Sequence, residues 1–411
     1  MKRASEPTLA APDAAAAHLS HKTSATDAAR LPKITVERLD DEAHFQALKR
    51  EWNELARETA ENNVFLRHEW FDAAWRWRQL DAALWLLCVR ANDRVIGIVP
   101  LVKQRLRRRG LMTRTLRFLA VPDTQSCDVL CAAPLVDIVT DAVVVTLRER
   151  RTEWDLLELS HWSAHSRSLA ALRARLTPSS THASDTNLCI DLTGGWTAYY
   201  AQLSRRLKKG NNLIANRLQR AVSVISLDRV TGSESSSAEI HEALEAAVML
   251  SARSWKGETG LSLDQPGPGA FIRRLTEHAV TNGWLSLWLL RLDGRPAAME
   301  FQLCYWGQVH ALRADFDGSY DRSLSPGSYL NWKLLQAMFD KGLARYWMGP
   351  GRNHYKQHWT KAGETLYKLT AYGGTWRGRA LALLELTLRP RLKRWLRHGP
   401  AAGDDDGEQN D

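Results

Sequence analysis

From Ile34 onward the chain alternates between two hydrophobic periods, and their order predicts its elements. Apolar residues recur at helical spacing over Glu42 to Glu58 and again through FLRHEWFDAAWRW, which starts at Phe65. Strand-like runs follow at Leu84 to Arg90 and Arg94 to Lys103, joined by an Asn92-Asp93 turn into a hairpin. Further strands are expected at Thr115 to Ala120, Asp128 to Cys131 and Trp154 to Ser160, with a helix over Val136 to Arg151.

The second half repeats this mixture. After Asp191 to Gly195 the pattern turns helical, a strand is expected at Val222 to Arg229, and two helices cover Ala238 to Arg253 and Pro268 to Asn282. The strongest β signal comes next: WLSLWLLRL, an Asp293-Gly294 turn, RPAAMEFQLCY, a Trp306-Gly307 turn and QVHALRA predict three antiparallel strands. Ser325-Pro326-Gly327-Ser328 then opens a helix, with a serine to cap it and proline in its first turn, and Gly342 closes it. A strand ARYWMG, a loop PGRNHYKQHW and a strand TLYKLTAY follow, and an arginine-rich helix from Trp376 is broken at Pro390. The fold class is α/β.

Composition adds limits. A chain of 411 residues has room for about two to three domains. Its 44% hydrophobic and 25% charged residues are those of a globular protein. No stretch reaches the roughly 18 apolar residues of a membrane span. Five scattered cysteines make no disulfide framework, which points to a reducing compartment, the cytoplasm. The expected organisation is a disordered leader (1–31), an N-terminal half (32–193), a C-terminal half (194–398) with basic connecting helices at 203–220, and an acidic disordered tail (399–411). A net charge of +10, despite five acids and no base in the last eight residues, implies an anionic partner: a phosphorylated cofactor, nucleic acid or lipid headgroups. The cluster Arg105, Arg107, Arg108 and Arg109 reads as a solvated hairpin tip, and most of the 17 tryptophans as core.

The segments RLDGRPAAMEFQLCYWGQVHALRADFDGSYDRSLSPGSYLNWKLLQ and GLARYWMGPGRNHYKQHW resemble the acyltransferase domain of bacterial CelD-like proteins. This BioF2-like type belongs to the GNAT superfamily and is related to the FemAB peptidyl transferases. HEWFDAAW, RVIGIVPLVKQRLRRRG and RFLA resemble the first half of such proteins, and SRRLKKGNNLIANRLQRA the stretch that joins the halves. The resemblance covers roughly residues 34 to 395. It implies two GNAT-like halves, each a mixed, mainly antiparallel sheet flanked by helices, and an acyl-CoA or, in the FemAB branch, an aminoacyl-tRNA donor.

Candidate roles follow from the residues. Alternation in AAMEFQLCY places Glu300 and Gln302 on one face and Met299, Phe301 and Leu303 on the other. Glu300 is a candidate general base if burial raises its pKa, or else the structural partner of Arg313 on the next strand. Gln302 and Arg313 are candidate substrate contacts. Lys356 suits an oxyanion or a phosphate, Tyr355 a proton donor to a leaving thiolate, and Trp359 an acyl chain or sugar face, or the core. The resemblance of this loop to YKxxW favours functional roles for Tyr355 and Lys356. Free amides from Pro326 to Tyr329, with Ser325, Gly327 and Ser328, would face a pyrophosphate, and Tyr320 and Arg322 in the preceding loop would close over it.

Other chemistries are not supported. Cys127 and Cys131 lack a second ligand pair for zinc, GPGRNHYK lacks the GK[ST] ending of a P-loop, and no GxSxG elbow occurs, so no metal is expected. The expected function is acetyl-CoA- or acyl-CoA-dependent N- or O-acyl transfer to a cell-envelope or polysaccharide precursor, a small molecule or glycan. Two alternatives stay open: an aminoacyl-tRNA enzyme holding tRNA through Arg205, Arg206, Lys208 and Lys209, and a silent binding protein for polysaccharide or membrane. The last helix would support the membrane contact.

Overall fold

The computed structural model describes residues 32–60 and 62–389; the expected leader, the break at Pro390 and the acidic tail lie outside them. The N-terminal half runs β1 (Ile34–Leu39), α1 (Glu42–Ala47), α2 (Lys49–Ala60), α3 (His68–Arg78), β2 (Ala82–Leu84), β3 (Leu86–Ala91), β4 (Arg94–Val99), β5 (Leu101–Arg108), β6 (Leu111–Phe118), β7 (Leu130–Cys131), α4 (Val136–Glu149), β8 (Leu156–Ser163), α5 (Arg167–Arg175) and β9 (Ser179–Asp191). Helices α6 (Trp196–Gln202) and α7 (Arg205–Ala221) connect it to the second half. There follow β10 (Ile225–Thr231), α8 (Ser237–Arg253), α9 (Pro266–Thr281), β11 (Leu285–Leu292), β12 (Arg295–Tyr305), β13 (Gln308–Phe316), α10 (Pro326–Phe339), β14 (Arg345–Pro350), α11 (His354–Gln357) and β15 (Gly363–Tyr372). Helix α12 (Trp376–Ala382) and a π-helical turn (Leu383–Leu388) close the described chain.

Each half has a similar order of a strand, helices, antiparallel strands, a helix, a strand parallel to the last of these, and a final strand, but in the first half the antiparallel strands are divided between a four-stranded sheet (β1-β3-β4-β7) and the large sheet. The meander hairpins of the second half turn on residues in the left-handed region, Asp293-Gly294 and Trp306-Gly307, as their sequence predicts. The repeated order defines two GNAT-like halves of mixed, mainly antiparallel sheet.

The halves exchange their final strands. The large sheet has the order β10-β11-β12-β13-β14-β9-β15-β8-β6-β5-β2. Strand β9 of the first half therefore lies against β14, and β15 of the second half against β8. The cores follow the exchange, with Leu369 and Ala371 of β15 packed among the first half's residues and Leu188 and Ile190 of β9 among the second's. Strand β9 is absent from the sequence expectation because SSTHASDTNLCID is mostly polar, and only Thr186 to Leu188 and Ile190 of it are buried. Its ladder partners on both sides, rather than its own periodicity, make it a strand.

A third core joins the halves through α3 and α9. Inside it Asp72 of α3 is fully buried and accepts hydrogen bonds from Arg274 Nε (2.6 Å), His278 Nε2 (2.7 Å) and Gln46 Nε2 (2.6 Å). Burial opposes its ionisation, but these donors outweigh that and hold the carboxyl well below the usual range.

The basic hairpin tip is not simply solvated. Arg108 at the end of β5 donates twice to Glu385, both at 2.8 Å, and ties the C-terminal helix to the sheet, while Leu381 and Leu386 pack beneath it. Trp376, Leu383 and Leu388 of that segment stay exposed. Most tryptophans do serve the core, Trp52, Trp70, Trp85 and Trp162 among them. Three of the five free cysteines, Cys88, Cys127 and Cys131, are buried.

Asp72→Asn removes the charge that Arg274 and His278 share and is expected to cost about 3 kcal/mol or more in urea unfolding. Because the folded Asp72 is depressed, the difference from wild type holds above the ordinary value of 3.8 and vanishes as the pH falls below it.

Candidate active site

Strands β13 and β14 are parallel but pair only over Gln308–His310 and Arg345–Trp347. Beyond those rungs they part, leaving a fork open at their C-terminal ends. Gly349 marks the divergence with φ +80°, and a Cβ there would lie 3.4 Å from the Ala311 carbonyl.

Lys356 of α11 fills the fork. It is buried, and its Nζ donates to the carbonyls of Gly349 (2.9 Å) and Pro350 (3.1 Å), which leaves one of three ammonium donors free. Burial pushes its pKa down to about 8, against the opposing charges of Asp185 and Glu300. Tyr355 beside it is half exposed, and burial together with the charges of Glu300 and Asp315 raises its phenol. It is therefore held protonated.

Glu300 lies beneath, 2% exposed on β12. Its carboxylate accepts from Gln302 Nε2 (2.7 Å) and from the Tyr346 hydroxyl of β14. Burial raises its pKa, while the bonds from Gln302, Tyr346 and Asn331 and the charge of Lys356 restrain the rise. Tyr346 is raised in turn by burial and by Glu300. Glu300 thus reaches the fork through Tyr346 rather than facing it openly.

Several sequence expectations need correction. Arg313 is not Glu300's partner: it lies on the other face of the sheet, buried, and donates to Asp123 (2.8 Å) and the Leu261 carbonyl (2.6 Å). Gln302 is fully buried, its oxygen taken by Ser286 (3.0 Å) and Trp288 (3.2 Å), so it supports Glu300 and is closed to a substrate. Trp359 belongs to the second half's core. Ser325 does not cap α10 with its side chain; it adopts a left-handed conformation, and its hydroxyl donates to the Arg322 carbonyl. The amides of Ser328 and Tyr329 bond to the Ser325 carbonyl, and Pro326 has no N–H. Gly327 is small because Phe316 packs on it, a Cβ there lying 3.0 Å from the ring.

The charge around that helix start remains cationic and open. Arg322 and Ser328 are exposed, Tyr320 is half-buried, and Arg217 of α7 donates to the Ser323 carbonyl (3.4 Å). Helix α7 carries Arg205, Arg206 and Lys209 exposed, whereas Lys208 is partly buried and bonds to the Ala201 carbonyl (2.9 Å). This donor set fits a diphosphate better through side chains than through helix amides.

Sequence reasoning missed residues that arrive from far along the chain. Asp315 of β13 is buried and pairs with Lys256 at 2.7 Å. Gln125, from the loop after β6, donates to the Ala311 carbonyl at 2.8 Å. Only the spacing of Arg313 and Asp315, two charges in alternation on a buried strand, hinted that this face was polar. Among the described residues no group of three His, Cys, Asp or Glu side chains could hold a metal, and no helix is long and apolar enough to cross a membrane.

Residues 214–357, from within α7 to α11, match the family model of the acetyltransferase (GNAT) domain. Among solved structures, FemX is similar with a TM-score of 0.52 and 9% identity, over 85% of this chain and 99% of that one. L-PGS from Bacillus licheniformis is similar with a TM-score of 0.51 and 11% identity, over 84% and 97%. At such identities the likeness is one of fold. No curated protein sequence matches the chain significantly. The family match supports an acyltransferase. Residues 214–357 are the chain's GNAT-type domain, within a two-half architecture whose fold is similar to that of FemX.

In spectra of protein carrying 13C-labelled lysine, one Cε resonance should titrate near 8, below the ordinary lysine value, and vanish in Lys356→Arg. Absence of a resonance titrating near 8 would contradict the burial of Lys356 described.

Proposed function

We propose that this protein is an acyl-CoA-dependent N- or O-acyltransferase acting on a cell-envelope or polysaccharide precursor in the cytoplasm. One observation carries the reading: two parallel strands that part immediately beyond three rungs, with a buried lysine donor in the gap. Tyr320, Arg322 and Ser328 would hold the donor's phosphates, joined by Arg217. Bound acyl-CoA would supply a thioester carbonyl activated for attack.

The chain's own residues then divide the proton work. Glu300 takes the proton of the acceptor amine or hydroxyl, relayed by the Tyr346 hydroxyl. The free N–H of Lys356 faces the oxyanion, in a setting dry enough for one donor to matter. Tyr355, kept protonated, gives its proton to the departing thiolate. Holding both substrates at one fork removes the entropy cost of their encounter.

An aminoacyl-tRNA donor is the second reading, favoured by the row of exposed bases on α7 beside the α10 entrance. Exposed Trp376, Leu383 and Leu388, flanked by Arg379 and Arg389, also suit a peripheral contact with an anionic membrane.

Calorimetry with acetyl-CoA and longer acyl-CoAs, run beside uncharged tRNA at two salt concentrations, separates the donors. Saturable CoA binding that weakens in Arg322→Glu supports the first reading; salt-sensitive tRNA binding alone, lost when Arg205, Arg206 and Lys209 are neutralised, supports the second. Lys356→Ala is expected to lower kcat by about 10²–10³, and Glu300→Gln by about 10²–10⁴; unchanged turnover in the double variant would remove both roles. Sedimentation with vesicles containing anionic lipid, but not with neutral ones, should fall in a Trp376→Ser, Leu383→Ser variant.

A further inference from the structure

At the end of the sheet remote from the fork, a cavity of about 470 Å³ opens where the end of α4, the start of β9 and α12 meet. The ladder sets its distance. Asn187 of β9 pairs with Pro350 at the fork, whereas Ser179, at the start of the same strand, pairs with Ala371 in the cavity wall. The length of β9 between them is roughly 25 Å at about 3.3 Å per residue. The cavity is therefore a separate site, and its volume is that of a small-molecule pocket.

Pro178 and Ala382 supply accessible apolar wall over buried Trp154, and Arg148, Arg151 and Arg379 line the same space, with no acidic residue among the lining. All three arginines are exposed, so their charge is open to a ligand. Arg148 spends one N–H on the Arg175 carbonyl (2.7 Å), and among the described residues Arg151 and Arg379 have no side-chain partner, hydrogen-bonded or ionic. Their neighbours differ: Arg150 pairs with Glu153 (2.9 Å), and Arg175 with Asp137 (2.8 Å) and Asp141 (2.6 Å). Three unneutralised guanidiniums around one small space repel one another and call for a shared anion, and a phosphate has the oxygens to accept from several planar forks.

The backbone holds this arrangement. The stem of Arg151 lies on Gly374, where a Cβ would come within 3.0 Å of it. Gly378 lets α12 press onto the Gly373 carbonyl, and Thr375 Oγ1 caps the helix by accepting from the Gly378 N–H (3.0 Å). Arg379 is thereby fixed relative to Arg151.

The surface beside the cavity decides what carries the phosphate. Trp376, Arg379, Ala380 and Leu383 are the exposed positions along α12 and its end, the spacing of a single helix face. Arg379 thus belongs both to the cavity and to the face that carries the exposed tryptophan and leucine. A phosphate whose carbon chains continue over that face satisfies both, whereas a fully hydrated polyanion leaves the leucine and the apolar wall uncovered.

We propose that this cavity binds the headgroup phosphate of an anionic phospholipid, with Arg148, Arg151 and Arg379 around the phosphate and the acyl chains passing over Trp376 and Leu383. The proposal deepens the peripheral-membrane reading and rests on it for its setting. It makes the cavity an attachment site rather than a substrate pocket.

Dihexanoyl phosphatidylglycerol, kept below its micelle concentration, is the probe, titrated by calorimetry against the full chain beside dihexanoyl phosphatidylcholine, glycerol 3-phosphate and inorganic phosphate. The anionic lipid should saturate, and the other three should each bind at least about tenfold more weakly. Arg148→Gln, Arg151→Gln and Arg379→Gln should each weaken it about three- to tenfold, and the triple variant by about a hundredfold. Ala382→Phe, which fills the cavity and keeps every charge, should weaken binding at least about tenfold, with unfolding midpoints certifying each protein. No saturable binding, equal binding of inorganic phosphate, wild-type affinity in the folded triple variant, or tighter binding of tRNA lost in that same variant would overturn the proposal. Sedimentation with anionic vesicles separates the two readings. Short-chain lipid binding without vesicle binding would leave the pocket standing and sink the membrane contact; vesicle binding that needs Trp376 and Leu383 but is unchanged in the triple arginine variant would sink the pocket alone.

Discussion

The exchange of final strands is the constraint on which the rest of this molecule depends. Because β9 lies between β14 and β15, and β15 between β9 and β8, neither half can complete its sheet without the other. Backbone groups buried at that seam find partners only across it, and an unpaired buried amide would be costly. Leucines and isoleucines on the exchanged strands bury their side chains in the opposite half's core, each contributing on the order of 1.5–3 kcal/mol. The Asp72 cluster fastens the halves a second time, through α3 and α9. Two fastenings of different chemistry hold one geometry, and the fork lies within it.

That rigidity explains how charged and polar groups persist at the fork in so dry a place. Lys356 is held by two carbonyls that β14 presents only because the strand has parted from β13. Glu300 is held by Gln302, which Ser286 and Trp288 hold in turn. Each bond offsets part of the cost of taking a charge out of water, and the incomplete compensation appears as the lowered lysine and the raised glutamate. Such shifts suit groups that exchange protons.

Much of the candidate site was legible in the sequence, and its failures have physical causes. Glu300, Tyr355 and Lys356 do converge, because strand alternation and the position of a loop after a strand end are local properties. Arg313 misled because alternation assigns a face but not a register, and the bulge between Phe301 and Gln302 shifts the pairing of β12 with β13. Trp359 misled because a tryptophan near a functional lysine reads the same in sequence whether it packs inward or meets a ligand. Ser325 looked like a cap, yet its backbone took a left-handed turn that no residue type announced.

Local elements are specified within their own segments: the meander and its two turns, the helix after Pro326, and the basic face of α7. Hydrophobic period, turn chemistry and charge are written within a few residues of where they act. Long-range pairing makes the polar segment from Ser179 to Asp191 a central strand, since its partners supply the ladder that its own residues do not advertise. The same long-range pairing brings Asp123 and Gln125 to Arg313 and Ala311, nearly two hundred positions away. Contacts at that separation exist only once two halves with separate local codes have closed on each other.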